Sequence, residues 1–172
     1  MSAPARAREK LLARDEAART LRLARRRGER VVFTSGCFDL LHVGHVRSLE
    51  EARAFGDRLL VALNTDASVR RFKGRERPIV PLRQRAEVLA ALACVDWVTW
   101  FGEDTPRRIL GELRPDVFAK GGDWPMATLR ARDLPEGFAG EVRRLRQVPR
   151  VRTTALVSRI RKPRAGAGRP RR

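Results

Sequence analysis

Both histidines of this chain, His42 and His45, fall in one short stretch, His-Val-Gly-His. Two imidazoles three residues apart near a helix start can face one side and donate hydrogen bonds to phosphate oxygens. Gly44 lies beside the second ring, and without a Cβ its backbone can lie close to a ligand. A helix N-terminus adds unpaired N–H groups and a partial positive charge of roughly half an electron. Phosphoryl and nucleotidyl transfer need mainly positioning and charge stabilisation, and these groups supply both.

Three further stretches carry chemistry of the same kind. Arg70 to Pro78 is a basic loop punctuated by Gly74, with five positive charges within eight residues. Such charges repel unless anions or solvent offset them. The loop is either a solvated surface segment or a clamp over phosphates, with Lys73 the first phosphate contact and Arg77 the second. Lys120-Gly121-Gly122-Asp123 opens the backbone at a strand end, where Lys120 and Asp123 would line a pocket. Thr153 and Thr154 follow Arg152, and a helix start there makes an anion site.

The elements that must position these groups follow from the apolar pattern. Val31–Thr34 is a short apolar run of the kind that makes a buried parallel strand. It turns at Ser35-Gly36, and a helix follows over Val43–Phe55, stopped by Gly56. Arg58–Asn64 is a second strand, so the three form a right-handed βαβ unit. Asp66 then lies at the carboxyl edge of the second strand, where it can receive ribose hydroxyls or cap a helix over Ala67–Phe72. Pro81 starts a helix to about Ala93. Val95–Trp100, Pro115–Lys120 and Glu141–Val148 read as strands, and Pro106–Leu113 as a helix. Met126 to Gly140 is uneven and reads as a loop with a helical turn. Trp97 and Trp100 read as core and rim. Before the first strand, Asp15 is the expected N-cap of a helix through Arg27.

Thr-Ser-Gly-Cys-Phe-Asp-Leu-Leu-His-Val-Gly-His resembles the signature of the cytidylyltransferase-like nucleotidyltransferases. Within them it is most similar to the D-glycero-β-D-manno-heptose 1-phosphate adenylyltransferases. The Lys-Gly and Arg-Pro pieces of the basic loop, Pro81-Leu-Arg-Gln-Arg85, and Lys-Gly-Gly-Asp before an aromatic carry the narrower likeness. The resemblance covers about residues 10–161. It implies a single Rossmann-like α/β domain with a five-stranded parallel sheet in order 3-2-1-4-5. It implies catalysis by His42, His45 and Lys73. It implies nucleotide binding by Thr34, Ser35, Gly36, Cys37, Phe38, Gly44, Asp66, Arg85, Lys120, Gly121, Arg152, Thr153 and Thr154. Substrate contacts would come from Asp39, Arg77, Gly122 and Asp123. Ser35 stands where that family usually has Asn, and Arg152 where it has Ser. Mg²⁺ would be held mainly by the phosphates of ATP rather than by protein ligands. No covalent nucleophile is needed, and Cys37 is not one.

The implied reaction joins ATP and heptose 1-phosphate to give ADP-heptose and pyrophosphate. Alternatives within the same chemistry are glycerol 3-phosphate with CTP, or FMN or phosphopantetheine with ATP. A homodimer and a separate heptose kinase are the partners the resemblance suggests.

Composition bounds the rest. At 172 residues the chain fits one domain with a real core. No apolar run approaches the ~20 residues of a membrane span. Two cysteines suit a reducing cytoplasm and make neither a disulfide framework nor a zinc site. The net charge of +18 sits mostly at the ends: residues 1–30 hold ten Arg/Lys against four Asp/Glu, and residues 159–172 hold seven and no acid. The expected organisation is a flexible N-terminus (1–14), a catalytic domain (15–161) and a disordered basic tail (162–172). The basic ends also admit a nucleic-acid-binding protein, but no basic face or motif within the domain supports specific recognition.

Overall fold

A computed structural model describes residues 6–122, 125–146 and 153–161. Five strands form one all-parallel sheet: β1 (Val31–Gly36), β2 (Arg58–Asn64), β3 (Trp97–Phe101), β4 (Val117–Gly121) and β5 (Glu141–Leu145). Their order is β3-β2-β1-β4-β5, as expected. The central strands are apolar at successive positions because both faces are covered. Phe33 and Leu60 pack on one face, beside Leu21 of α1 (Arg14–Arg26) and Ile109 of α5 (Arg107–Leu113). Val32 and Val61 pack on the other, beside Leu49 of α2 (Val43–Arg53) and Leu89 of α4 (Leu82–Ala90). The remaining helices are α3 (Asp66–Lys73), α6 (Met126–Asp133) and α7 (Thr153–Arg161).

The feature that makes a site is where pairing stops. β1 stays in register with β2 as far as Gly36↔Leu63. Its pairing with β4 ends two residues sooner, at Thr34↔Ala119. Chain connections leave β1 and β4 in opposite directions across the sheet, so this is the topological switch point, and a crevice opens at the carboxyl edge there.

Several boundaries differ from the sequence reading. The helix before β1 is capped at Ala13, and Asp15 lies inside its first turn, paired with Arg19. Residues 7–12, expected to be flexible, pack instead: Leu12 N–H donates to Val98 O at 2.9 Å and Lys10 Nζ to Val95 O at 2.8 Å. α2 ends at Arg53. The chain then passes so near the start of β1 that a Cβ on Gly56 would meet Arg30 O at 2.6 Å. α3 is capped by Thr65, whose side chain accepts from Ser68 N–H, so Asp66 is the first helical residue and not the cap. α4 ends at Ala90 and β5 at Leu145, each short of expectation. The uneven stretch after Gly122 contains a full eight-residue helix, α6. Trp97 packs against the core and Trp100 is 37% exposed on the edge strand, matching the core-and-rim reading.

Candidate active site

The crevice is a cavity of about 380 Å³ at the β1–β4 edge. Thr34, Ser35 and Gly36 form one wall, and Cys37, Phe38 and Asp39 continue it. Gly121 and Gly122 come from the end of β4, Gly122 with a left-handed φ of 112° that suits a residue without a side chain. The N-terminus of α2 contributes His42, Gly44 and His45, and that of α7 contributes Thr153 and Thr154. Lys73, exposed at the end of α3, completes the lining from above. Two helix N-termini and a lysine thus converge on one space, an arrangement that favours anions.

His42 does two jobs. It is the N-cap of α2, and its Nδ1 accepts from His45 N–H at 3.3 Å. In the neutral ring the proton therefore sits on Nε2, leaving a donor for a ligand. The two imidazoles stack at 3.8 Å, 13° from parallel, with Phe38 5.1 Å from His45. Burial, then the neighbouring His42 and Lys73, lower the His45 pKa to about 4. Burial also lowers that of His42. Both rings are neutral donors at pH 7 in the ligand-free protein. Burial pushes the Cys37 thiol up, so it is no thiolate there.

Asp39 is the one carboxylate among the described lining residues, and it is already engaged. It accepts from Ile79 N–H at 2.8 Å, from Val80 N–H at 3.0 Å, and from Arg77. These bonds clip the basic loop to the β1 turn. Arg77 and Asp39, expected to touch substrate, here hold each other. Arg85 is likewise removed from the cavity: its side chain is fully buried. Its guanidinium donates to Val80 O, Cys37 O, Asn64 O and, at 2.6 Å, Asp66 Oδ1. The expected triphosphate ligand is thus a strut under the β1 turn, and Asp66 is its counter-ion. Lys120 stands behind Ser35 and not in the lining, with Nζ 3.2 Å from Ser35 Oγ. Asp123 and Arg152 lie outside the described residues.

A family model described as cytidylyltransferase-like matches residues 33–162. The chain belongs to the cytidylyltransferase-like family. Its relatives include a protein named bifunctional protein HldE from Hahella chejuensis, 53% identical over 139 residues, which covers 81% of this chain and 29% of that protein. Another of that name, from Syntrophotalea carbinolica, is 48% identical over 151 residues, 88% of this chain and 31% of that protein. The chain therefore spans less than a third of the length of these relatives. Among solved structures, a lipopolysaccharide core biosynthesis protein from Thermoplasma volcanium is similar at TM-score 0.61 and 27% identity, over 70% of this chain and 99% of that one.

The cavity thus gathers neutral imidazoles, a lysine and two helix N-termini, a donor set that can stabilise negative charge. Sequence reasoning missed four residues of its lining: Ser48, Leu49, Leu145 and Arg146. Ser48 lies four residues past Gly44 and Leu49 four past His45 on α2, so a helical projection from those two residues finds them. Leu145 and Arg146 were hidden because the strand was expected to run on to Val148, which moved its edge away. Among the described residues no helix is long and apolar enough to cross a membrane.

Proposed function

We propose that the chain is an adenylyltransferase joining ATP and D-glycero-β-D-manno-heptose 1-phosphate to give ADP-heptose and pyrophosphate. The observation that carries this reading is the stacked His42–His45 pair at the start of α2, facing the β1–β4 crevice beneath Lys73. The likeness to proteins named HldE, and to one described as a lipopolysaccharide core biosynthesis protein, supports heptose as the sugar.

In this mechanism an oxygen of the sugar phosphate attacks the α-phosphorus in line. The bond from that phosphorus to the bridging oxygen breaks, and pyrophosphate leaves. His42 Nε2–H, the His45 ring and Lys73 Nζ stabilise the negative charge that builds on the transferring phosphoryl group. The N–H groups at the starts of α2 and α7, with the Thr153 and Thr154 hydroxyls, hold the remaining phosphates. Arg152 adds a phosphate contact, and Asp123 binds the sugar side. The one carboxylate among the described lining residues, Asp39, is tied to Arg77, Ile79 and Val80, so the described donor set fits a Mg²⁺ carried by the phosphates more than one carried by the protein. Such an ion supplies charge neutralisation. The enzyme would work in the cytoplasm, downstream of a kinase activity that phosphorylates the sugar at C1, and would self-associate as a dimer.

Pyrophosphate release across a small panel tests the reading. ATP with heptose 1-phosphate should turn over fastest, ahead of CTP with glycerol 3-phosphate and ATP with FMN or phosphopantetheine. Preference for another pair would keep the chemistry and replace the substrate. An unchanged KM for ATP in Arg152→Ala would remove that residue from the phosphate site.

A further inference from the structure

The lysine at the end of β4 is held from two sides. Its side chain is 15% exposed, and Nζ reaches across the gap left where β1–β4 pairing ends to lie 3.2 Å from Ser35 Oγ. On its other side Nζ stands 3.3 Å from Asp133 Oδ2. Asp133 closes α6 and is fully buried. Its Oδ1 accepts from Arg132 Nε at 2.8 Å. Its Oδ2 meets the Lys120 ammonium as an ion pair and has no hydrogen-bond partner. A carboxylate buried to that degree is costly unless a charge faces it, and the same holds for the ammonium.

The geometry orders the Ser35 hydroxyl. Oγ accepts from the ammonium, so its own hydrogen points away from Lys120. Ser35 lines the cavity and Lys120 does not. The hydroxyl hydrogen is thus left for a ligand, and the ammonium behind it polarises the bond and strengthens it as a donor. We propose that Asp133 is a positioning residue of the nucleotide site, holding the Lys120 ammonium against Ser35 so that the hydroxyl is fixed as a donor to a phosphate oxygen. This rests on the reading of the crevice as a nucleotide site.

The charged neighbours of Lys120 agree with this assignment. Burial lowers its pKa most, Asp133 raises it, Arg132 lowers it, and Cys37 raises it. Arg144, in register with it on β5, is exposed. Asp133 is the counter-charge that opposes burial.

Asp133→Asn keeps the shape and removes the charge. Its kcat/KM for ATP should fall about tenfold, carried by KM, with kcat at saturating ATP close to that of the unaltered protein. In a Ser35→Ala background the same change should add less than about twofold, because the hydroxyl on which it acts is gone. A residue that merely fastens α6 to the sheet would lower Tm and multiply with Ser35→Ala, and either multiplied losses or an unchanged KM overturns the proposal. Should Asp133→Asn not fold, Lys120→Met in the same two backgrounds reads the same coupling. A measurement free of substrate separates this proposal from the functional one. In ¹⁵N-lysine-labelled protein the Lys120 Nζ resonance should be that of an ammonium at pH 7 and should shift in Ser35→Ala. A neutral amine or an unmoved resonance overturns the proposal whatever the enzyme turns over. Absent turnover with the resonance as expected overturns only the functional reading.

Discussion

The rings of His42 and His45 lie face to face with 3.8 Å between centroids. Burial disfavours the charged ring, and a second positive charge at that distance would repel it further, so His45 stays neutral down to about pH 4. A triphosphate reverses the sign, because its charge favours the protonated rings. Binding of ATP near pH 6 should therefore take up protons. Calorimetry in two buffers of different ionisation enthalpy reads the uptake directly, and none at all would take the pair out of contact with phosphate. The ligand-free protein should show the opposite linkage. Unfolded, His45 binds a proton near pH 6.5, and folded only near pH 4. Its contribution to stability is full above the first value and lost as pH falls to the second, on the order of 2 kcal/mol after allowance for solvent screening. Denaturation of His45→Asn across that window should show a flatter slope.

Because His42 both caps α2 and faces the cavity, alanine at this position confounds two effects. Asparagine separates them. It caps a helix as well as any residue, so Tm should stay near that of the unaltered protein, whereas alanine should cost about 1 kcal/mol. Neither supplies the Nε2–H donor, so kcat should drop by about 100-fold or more in both. Thermal melts beside pyrophosphate assays check the two halves. Near-normal turnover in His42→Asn would end the catalytic assignment.

Why some of this was legible in sequence and some was not comes down to range. Val31–Thr34 and Arg58–Asn64 read as strands because burial on both faces leaves nearly continuous apolar runs, and the glycine turn and His-x-Gly-His place the crevice between strand and helix. Those signals are local. Asp133 carries none, and the motif that marks Arg85 points to a phosphate rather than to its partner: the pairings with Asp66 and Lys120 exist only once the fold brings those residues together. Asp39 is the intermediate case. Its place beside the motif was visible, but its partners, Ile79 and Val80, lie forty residues on. Helix ends were the weakest reading because caps depend on backbone geometry. Thr65 took the capping role that Asp66 was equally able to fill.

Lys73 offers a clean separation of chemistry from stability. It is exposed, so Lys73→Met should leave folding stability within about 0.5 kcal/mol of unchanged. Its ammonium lines the cavity and helps lower the His45 pKa. Removing it should cost about 100-fold in kcat/KM and should also raise the pKa of His45 in the free protein. Proton NMR of the two imidazoles against pH follows the second effect. A drop in activity with an unmoved His45 titration would place the ammonium far from the rings.

Arg85 should behave in the reverse way. All of its described contacts are internal: three backbone carbonyls and the Asp66 carboxylate. Arg85→Met would leave Cys37 O, Val80 O and Asn64 O without these donors and Asp66 without its counter-charge. The loss should be about 3 kcal/mol of folding stability, a large fraction for a domain of this size. At temperatures where the variant is folded, its KM for ATP should stay within about threefold of the unaltered protein, since the guanidinium does not reach the cavity. Urea melts and initial rates at 10 °C make the comparison. A stable variant with a steeply raised KM would mean that the strut swings out to meet the triphosphate, and Arg85 would then return to the list of phosphate ligands.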